Sequence, residues 1–424
     1  MKSFEIEGQA KLKGEVTISG NKNAVLPAIA ASILTDQEVV LHNVPCILDV
    51  ENMLRIGEHI GMEINRSDST IRLRTTRIPD PAVPKELSSM LRTSILFAGP
   101  LLARCGKSEF WHPGGDFIGR RRLDAHIYGL KGLGAKLASS DQPYKLEAKK
   151  LRGRDLFLDE ASVTATEHLL MTATLAHGTT TIRNAASEPH VQDLAELLVK
   201  MGAKISGIRT DTLVVEGVEK LGGAEHTIPG DHIEAASFLS LAAATGSEIT
   251  ISGTVPSHYW MTRRIFERFN VKFTINPGSI FIPGHQKLRI QNDFGNAIPV
   301  ISDGPWPQFP TDMMSCAIVM ATQATGTVLF FEKMFEGRMY FIDRLIGMGA
   351  NAIVCDPHRA VISGPSELRG IEMSSPDIRA GMAMLIAALC AKGKSIINNA
   401  HVISRGYEDI NLKIEKLGGR IRTI

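Results

Sequence analysis

The chain has 424 residues, of which 44% are hydrophobic and 22% charged, and its 47 Lys and Arg against 45 Asp and Glu leave a formal net charge of +2. This length predicts two or three domains, and the composition is typical of a globular protein rather than a disordered one. A nearly neutral charge gives no support to a protein that binds nucleic acid or a membrane surface through bulk charge.

Targeting and metal-binding signals are weak throughout the sequence. No run approaches the 18 uncharged apolar residues of a membrane-spanning helix, and the N-terminal segment MKSFEIEGQAKLKG lacks the apolar core of a secretory signal. We therefore expect a cytoplasmic protein with reduced cysteines, because its five cysteines are scattered without a zinc or disulfide pattern. The 13 histidines form no HExxH motif or cluster, so we expect no metal site.

Six Ala-rich stretches along the chain each predict one helix, and their starts are 66 to 79 residues apart. Each stretch is apolar on nearly all sides, which is typical of a buried helix. The six starts, in chain order, lie near Asn21, Arg92, Thr164, His232, Thr311 and Asp377.

A short β-prone run follows each helix, from EVVLHNV after the first to KSIINNA after the last. A second landmark then recurs, as in GMEI at Gly61 and GAKL at Gly134, where the glycine suits the end of a helix before the next strand. The sequence thus repeats a helix–strand–helix–strand unit of about 70 residues six times. We predict an α/β fold with helices inside, sheets outside and the repeats grouped into two domains.

Two places favour a crossing of the chain between these domains. The segment LGGAEHTIPGD, residues 221–231, is punctuated by Gly and Pro, and the N-terminal strands end near residue 20, before the first repeated helix. We therefore predict one domain of residues 21–229 and one of residues 1–20 plus 230–424.

The starts of several predicted helices carry charged or amide side chains. Helix N-termini attract anions, so three helices converging in each domain would form a site for a highly anionic ligand in a cleft between the domains. Each residue alone is also compatible with helix capping or with surface solvation. The residues are Lys22, Asn23, Arg92, Asp312, Asp377 and Arg379.

The segment PGGDFIGRRRLDAH, residues 113–126, combines a tight glycine turn with three arginines. Its glycines would let backbone amides approach a ligand, Arg121 and Arg122 could bind phosphate or carboxylate, and Asp116 could move a proton. A β-turn with a solvated basic patch is the alternative. Arg405 in SRGYED lies in a second turn, where a loop salt bridge is the alternative.

Seven segments together resemble the UDP-N-acetylglucosamine 1-carboxyvinyltransferase family, enolpyruvyl transferases of peptidoglycan synthesis. They are, in chain order, GNKNAVLPAIAAS, LRTSI…GPLLAR, PGGDFIGRRRLDAH, SVTATE, FPTDM, DIRAG and RGYE. The resemblance covers the whole length. It implies two inverse α/β barrels of three repeats each, with no metal or cofactor.

The resemblance also implies the reaction. Phosphoenolpyruvate is protonated at its methylene carbon, and the 3-hydroxyl of UDP-N-acetylglucosamine attacks and gives up its proton. Loss of phosphate and of one proton from the new methyl group then leaves an enol ether. Lys22, Arg121 and Arg405 are then expected around phosphoenolpyruvate. Asn23 is expected beside both substrates, and Arg92 is expected to hold the closed site together.

Further roles come from the same resemblance. Asp312 is expected to be the base toward the 3-hydroxyl, Asp377 and Arg379 to support the cleft, and Met334 to make a backbone contact to the sugar nucleotide. Independently of the resemblance, His126 within LDAH is expected to be structural rather than catalytic. The uridine diphosphate pocket is expected to be lined by Arg121, Arg122, Leu123, Asp124, Ala125, Glu160, Ala161, Ser162 and Val163.

The sequence departs from the family at the mobile loop, where Asp116 stands in place of the usual cysteine. A carboxylic acid can also transfer protons, so we expect activity to persist. Without the cysteine, we expect insensitivity to fosfomycin, which alkylates it, and no covalent adduct with phosphoenolpyruvate.

Other departures concern the acceptor, and they keep two alternatives open. One is a related enolpyruvyl transferase that uses another nucleotide or nucleotide sugar, and the other is a non-catalytic homologue that binds a sugar nucleotide. Retention of the expected cations and of Asp312 argues against the non-catalytic alternative, and the GNKN start argues against the shikimate-pathway member of the fold. The departures are Arg122, Leu123, Glu160, Thr164 and Ser404.

Overall fold

A computed structural model describes residues 2–116 and 118–424, and its contacts divide the chain into two compact units. The first unit comprises Met1–Ser19, Phe117–Arg120 and Gly230–Ile424. The second unit comprises Gly20–Asp116 and Arg121–Pro229. Three repeats of helix and sheet build each unit.

The strands and helices follow one another regularly along both units. The strands are β1 (Phe4–Glu7), β2 (Lys13–Thr17), β3 (Val39–His42), β4 (Glu63–Ser67), β5 (Thr70–Arg74), β6 (Lys107–Phe110), β7 (Lys136–Ser139), β8 (Tyr144–Glu147), β9 (Asp155–Phe157), β10 (Thr179–Arg183), β11 (Lys204–Ser206), β12 (Thr212–Glu216), β13 (Ala224–Thr227), β14 (Glu248–Ser252), β15 (Thr274–Asn276), β16 (Ser279–Ile282), β17 (Val300–Ser302), β18 (Gly326–Phe331), β19 (Asn351–Asp356), β20 (Arg359–Gly364), β21 (Glu372–Ser374), β22 (Lys394–Asn398) and β23 (Arg420–Thr423). The α-helices are α1 (Lys22–Ala31), α2 (Leu48–His59), α3 (Lys85–Ser88), α4 (Ala98–Cys105), α5 (Asp124–Gly132), α6 (Val163–Ala173), α7 (Pro189–Lys200), α8 (His232–Thr245), α9 (Trp260–Glu267), α10 (Thr311–Thr322), α11 (Ile342–Gly347), α12 (Ile378–Cys390) and α13 (Ile410–Lys416).

The second unit surrounds its inner helices with three sheets. The sheet orders are β13-β3-β5-β4, β6-β8-β7 and β11-β12-β10-β9. The inner helices are α1, α4 and α6, and all residues of α6 from Ala165 to Ala173 are buried. Strand β13, from the end of this unit, pairs in parallel with β3 near its beginning.

The first unit repeats the arrangement around α8, α10 and α12, which pack against one another. Its sheets have the orders β15-β16-β14-β2, β17-β18-β20-β19 and β21-β22-β1-β23. The N-terminal strand β1 lies between the C-terminal strands β22 and β23, so the two ends of the chain share one sheet. Strand residues alternate between buried and exposed, as in β12 and β14, which places the helices inside and the sheets outside.

The six predicted helix starts are confirmed, with one difference. The stretch that begins at Arg92 is a 3-10 segment, Arg92–Phe97, and the α-helix begins only at Ala98. Pro100 has no N–H to donate to Leu96, and it therefore fits the first turn of α4, where N–H groups lack helical partners.

The recurring landmark before the second strand of each repeat also has one conformation. Five glycines in this position have φ between 92° and 105°, a left-handed conformation that glycine adopts without cost. In the remaining repeat, the fourth along the chain, Asn270 takes this position with φ 58°. The five glycines are Gly61, Gly134, Gly202, Gly349 and Gly418. Each unit is thus an inverse α/β barrel of three repeats. Within residues 2–116 and 118–424, no helix has the length and apolar character needed to cross a bilayer.

Candidate active site

Lys22 is the first residue of α1, and only 9% of its surface is exposed. Its Nζ lies 2.6 Å from Oδ2 of Asp49, a buried residue in the first turn of α2. Asn21 caps the helix by accepting the N–H of Asn23 at 2.9 Å. Because Asp49 balances the charge of Lys22 and the helix dipole adds positive potential, this helix start suits an anion.

Arg92 is also 9% exposed, and its Nη2 donates to the carbonyl oxygen of Arg122 at 2.9 Å. Burial, reinforced by the charge of Arg121, lowers the pKa of Arg92 to about 10, whereas Glu160 acts in the opposite direction. Arg92 is therefore charged at neutral pH. The second unit thus brings three further predicted site residues, Arg121, Arg122 and Glu160, together around the buried guanidinium of Arg92.

The two glycines of the PGGD loop allow two parts of the chain to pack closely against each other. A Cβ on Gly114 would lie 1.8 Å from the carbonyl oxygen of Ser89, and the N–H of Gly114 donates to the carbonyl of Ser88 at 3.1 Å. Gly115 has φ 104°, and a Cβ there would lie 3.1 Å from the backbone nitrogen of Arg92. These glycines let the loop pack closely beside Arg92. This packing explains the two glycines, whereas the sequence analysis expected them to let backbone amides approach a ligand.

Asp116 follows this turn and is half-buried. The next residue, Phe117, lies outside the described residues. Beyond it, the N–H of Arg120 donates to Oε1 of Glu336 at 3.2 Å, and backbone hydrogen bonds hold the pKa of that carboxyl below its usual range. Glu336 therefore anchors residues 118–120 within the first unit.

The residues predicted to line the uridine diphosphate pocket lie at the starts of α5 and α6. Nε of Arg122 lies 3.0 Å from Oδ2 of Asp124, and both side chains are exposed. Ser162 caps α6 by accepting the N–H of Ala165 at 3.4 Å, and its own N–H donates to the carbonyl of Glu160 at 2.8 Å. Leu123, Ala125, Ala161 and Val163 are half-buried beside them.

A buried histidine pair joins these two helices. Nε2 of His126 lies 3.2 Å from Oγ1 of Thr164, and its Nδ1 lies 2.9 Å from Nδ1 of His168. Burial lowers the pKa of both imidazoles, that of His168 to about 3, so both are neutral at physiological pH. These contacts give His126 the structural role expected for it. They also give the hydroxyl of Thr164, a departure from the family, a specific partner.

Asp312, the expected base, is the second residue of α10, and its side chain is 23% exposed. Its Oδ1 accepts from Nη2 of Arg338, and its Oδ2 accepts from Nε and Nη2 of Arg379 at 3.0 and 2.9 Å. Two guanidinium groups and the positive end of the helix stabilise the ionised carboxylate. The structure therefore brings Asp312 and Arg379 together.

Asp377 caps α12 by accepting the N–H groups of Arg379 and Ala380 at 2.8 and 3.0 Å. Its Oδ1 also lies 3.7 Å from Nη1 of Arg338. Arg338 thus lies between two carboxylates at the starts of neighbouring inner helices. Its buried guanidinium binds Oδ1 of Asp312, the carboxylate oxygen that Arg379 does not contact.

The backbone N–H of Met334 is already used, because it donates to Oε1 of Glu332 at 3.1 Å. The N–H of Phe335 donates to the same oxygen at 3.1 Å. A backbone contact from Met334 to a nucleotide would therefore come from its carbonyl group.

Arg405 ends a 3-10 segment, Ala400–Arg405, and is half-buried. The turn that follows it is tied to the N-terminal strand segment, because Oε2 of Glu408 accepts the hydroxyl of Ser19 at 2.6 Å. Lys413 donates to the same hydroxyl at 2.7 Å and to the buried Glu234 at 2.6 Å. These contacts fix the turn within the first unit.

No sequence motif predicted the partners of these site residues. Asp49, Arg338 and Glu332 contact predicted residues, yet none belongs to a quoted motif. Asp49 has the sequence signature of an ordinary acid in the first turn of a helix, so only a three-dimensional pairing distinguishes it. Among residues 2–116 and 118–424, no group of three or more His, Cys, Asp or Glu side chains is placed to hold a metal ion.

Comparisons with known proteins agree on the family. A family profile described as EPSP synthase (3-phosphoshikimate 1-carboxyvinyltransferase) matches residues 6–414. A curated UDP-N-acetylglucosamine 1-carboxyvinyltransferase from Bradyrhizobium diazoefficiens is 50% identical, with 99% of this chain and 98% of that protein covered. The enzyme of the same name from Borreliella burgdorferi is 49% identical, with 100% and 99% covered.

Solved structures share the fold at lower identity. The enolpyruvyl transferase NikO from Streptomyces tendae has a TM-score of 0.88 at 22% identity, covering 100% of this chain and 98% of that one. An EPSP synthase from Acinetobacter baumannii has a TM-score of 0.76 at 17% identity, with 100% of both chains covered. The predicted α/β fold of two inverse barrels is therefore confirmed. The chain belongs to the EPSP synthase family of enolpyruvyl transferases, together with the UDP-N-acetylglucosamine 1-carboxyvinyltransferases that it matches over its whole length.

Proposed function

We propose that this protein transfers the enolpyruvyl group of phosphoenolpyruvate to the 3-hydroxyl of UDP-N-acetylglucosamine and releases phosphate, as the first committed step of peptidoglycan precursor synthesis. The observation that carries this proposal is the full-length identity of 49–50% to curated relatives with that name. Both substrates are cytoplasmic metabolites, so the proposal places the reaction in the cytoplasm.

The reaction requires cations for the phosphate and carboxylate of phosphoenolpyruvate. In the proposal, Lys22 and the start of α1 bind one anionic group, and Arg121 and Arg405 bind the others. The ion pair between Lys22 and Asp49 supports this role, since it holds the ammonium at the helix start before any substrate arrives. Asn23, the next residue of α1, contacts both substrates.

The acceptor hydroxyl requires a base or a strong hydrogen-bond acceptor. The proposal assigns this role to Asp312, supported by the two guanidinium groups that fix its carboxylate at the start of α10. Because these groups stabilise the ionised form, Asp312 aligns the hydroxyl and takes its proton only as the carbon–oxygen bond forms. Arg379 and Asp377 keep this geometry.

The methylene carbon of phosphoenolpyruvate requires a proton donor, and the proposal assigns Asp116 to this transfer. Its position beside the glycine turn that contacts Arg92 supports the assignment. A carboxyl group has no sulfur to alkylate, so fosfomycin does not inactivate the enzyme, and phosphoenolpyruvate forms no thioether adduct.

The nucleotide binds, in the proposal, at the starts of α5 and α6 and at the carbonyl of Met334. Two helix starts support this assignment, because helix N–H groups suit a diphosphate: that of α5, beside the ion pair of Arg122 and Asp124, and that of α6, which Ser162 caps. Arg92 supports this assignment by donating to the backbone carbonyl of Arg122, which fixes the chain just before α5.

We also propose that the domains follow the limits expected from the sequence, residues 21–229 and residues 1–20 plus 230–424. In this proposal, residues of both domains act in one reaction. Lys22, Asp116 and Arg121 come from the former domain, and Asp312 and Arg405 from the latter.

Phosphate release from phosphoenolpyruvate, with UDP-N-acetylglucosamine as acceptor and mass detection of the product, tests the proposal directly. We expect a product heavier by one enolpyruvyl group, formed equally well with and without fosfomycin. The Asp312→Asn variant is the control for contaminating activity. Tight binding of phosphoenolpyruvate without turnover would overturn the choice of acceptor, and other nucleotides and nucleotide sugars would then be screened.

A further inference from the structure

Two acidic side chains are buried next to each other in the first unit, outside every motif of the sequence analysis. Asp303 follows β17 and Glu332 follows β18, and these parallel neighbours are in register up to Ser302 and Phe331. The residues that follow this last pair, Asp303 and Glu332, therefore lie side by side. Neither Asp303 nor Glu332 has any exposed surface.

Glu332 connects two segments that the proposed function uses. Its carboxyl oxygens accept the hydroxyl of Thr311, the residue before Asp312, at 2.8 and 3.0 Å. Oε1 also accepts the N–H groups of Met334 and Phe335 at 3.1 Å each. One carboxyl group therefore fixes both the start of α10 and the backbone expected to contact the nucleotide.

Asp303 has an unused acceptor. Its Oδ1 accepts the N–H of Lys333, whereas its buried Oδ2 has no donor among the described residues. The carboxyl group of Asp303 lies close enough to that of Glu332 to raise its pKa. Two ionised carboxylates buried side by side repel each other and only accept hydrogen bonds, whereas one proton between them supplies the donor that Oδ2 of Asp303 lacks.

The environment of Glu332 favours its protonated form. Arg338 is the cation that favours ionisation of Glu332, and burial together with Asp303 outweighs it and raises the pKa of Glu332 to about 8. The ring of His358 contacts the backbone carbonyl of Glu332 at 2.7 Å, and Nζ of Lys333 lies over the ring of Phe331. These two side chains are therefore engaged elsewhere.

We propose that Glu332 and Asp303 share one proton, and that this protonated pair is a positioning element that holds Asp312 and the Met334–Phe335 backbone in their active arrangement. The role in catalysis rests on the proposed function, in which Asp312 acts on the acceptor hydroxyl. The pair touches neither substrate in this proposal. It acts through Thr311 and through the two backbone N–H groups.

Loss of the shared proton in alkaline solution places two negative charges side by side in a buried site. The carboxylates then move apart, Thr311 loses its acceptor geometry, and Asp312 is misaligned. We expect kcat/KM for UDP-N-acetylglucosamine to fall reversibly in this range, by about tenfold for each pH unit above the pKa, as for a single titration.

The test compares Glu332→Gln with the wild type and with Asp193→Asn. The glutamine amide donates to Asp303 and its carbonyl accepts the backbone N–H groups, so the contacts survive without a titratable proton. We expect the alkaline loss of kcat/KM, relative to each protein's own value at neutral pH, to disappear in Glu332→Gln. Asp193 is the matched control because it is a buried carboxyl with a raised pKa in the second unit, and Asp193→Asn keeps the wild-type profile.

Thermal unfolding against pH tests the proton without any assay of activity. A glutamate in the unfolded chain ionises near pH 4.3, so the native state binds the extra proton between about pH 4.3 and 8, and this contribution to stability is lost as the pH rises. We expect Tm to fall less steeply across this window in Glu332→Gln. The carbonyl stretch of a protonated glutamic acid, seen by isotope-edited infrared spectroscopy, is also absent from that variant.

The outcomes separate this proposal from the proposed function. An alkaline loss and a Tm slope that are unchanged in Glu332→Gln would overturn the shared proton. If Glu332→Gln does not fold, Asp303→Asn replaces it, because its amide donates to an ionised Glu332, and unchanged profiles there overturn the proposal equally. If the wild type transfers no enolpyruvyl group, the proposed function fails, while the Tm and infrared measurements still decide the proton.

Discussion

The two units use the same structural position, the start of a buried inner helix, for charges of opposite sign. In the second unit, α1 begins with Lys22, whose ammonium forms an ion pair with the carboxylate of Asp49. In the first unit, α10 begins with an acid, Asp312, which is balanced by the guanidinium groups of Arg338 and Arg379. The repeat therefore fixes where a polar group is held, and the residue placed there decides its chemistry.

The dipole of each helix makes this difference larger. The start of α1 already has positive potential, and the pair of Lys22 and Asp49 leaves that potential available to an anion. The start of α10 favours the carboxylate of Asp312, and its two cations stabilise the charge further. Asp312 is also the more exposed of the two, with 23% of its side chain accessible against 11% for Lys22. The first arrangement suits the binding of phosphate, and the second suits a fixed acceptor of hydrogen bonds.

Asp312→Asn should have the largest effect on turnover, since it removes the acceptor charge and keeps the shape. We expect kcat to fall by about 10²–10⁴-fold, the range of general-base catalysis, with KM for UDP-N-acetylglucosamine changed only a few-fold. Phosphate release measures kcat, and calorimetric titration measures binding. Near-normal turnover in this variant would show that the base is another residue.

Lys22→Met should have the next largest effect. We expect it to weaken the binding of phosphoenolpyruvate rather than the activation of the acceptor hydroxyl. Removing one partner of a buried ion pair costs about 3–5 kcal/mol, because Asp49 is left buried without its cation. We expect a lower Tm and a higher KM for phosphoenolpyruvate. An unchanged KM would contradict the role of Lys22 in binding this substrate.

The double variant Lys22→Met with Asp49→Asn separates the two effects. Replacing both charges removes the unpaired carboxylate, so we expect Tm to recover while the KM for phosphoenolpyruvate stays high. Recovery of both would mean that Lys22 serves only to neutralise Asp49. Lys22 would then have a structural role only, unlike Asp312.

Asp116→Cys should change drug sensitivity more than turnover. A thiolate at this position provides the nucleophile that Asp116 lacks, so we expect time-dependent inactivation by fosfomycin in the variant and none in the wild type. The wild type, treated in parallel, is the control. If the variant stays resistant, residue 116 does not occupy the reactive position of the loop, and Asp116 is not the proton donor.

Local patterns predicted much of the fold. The six helix starts and the recurring residue in the left-handed conformation follow from periodicity and from glycine chemistry, which act over a few residues. The 3-10 start at Arg92 was missed, although Pro100 was visible, because the pattern of apolar residues is the same for both helix types. The pairing of β1 with β22 and β23 joins the two ends of the chain, and no local rule specifies it.

The site was predictable only where a motif carried it. Lys22, Asp312 and Arg379 stand in quoted segments, whereas the partner Arg338 lies 26 residues from Asp312 in a stretch without a motif. Its role depends on the tertiary packing that buries it between two carboxylates. The same holds for Glu332 and Asp303, whose contact arises from the register of two strands.

The smallest effect on activity is expected at the buried histidine pair of the second unit, where the first unit has a buried acid pair. His168 has its pKa lowered by burial to about 3, against about 6.5 in the unfolded chain, so the native state resists the proton that the unfolded state takes up. The stability that this provides is complete above pH 6.5 and is lost as the pH falls toward 3, at about 1.4 kcal/mol for each unit of the shift. We expect His168→Gln to flatten the acid side of the Tm profile and to leave kcat near the wild-type value, whereas Glu332→Gln flattens the opposite side. An acid limb as steep as that of the wild type would mean that His168 is protonated in the native state, and the neutral assignment of the pair with His126 would be wrong.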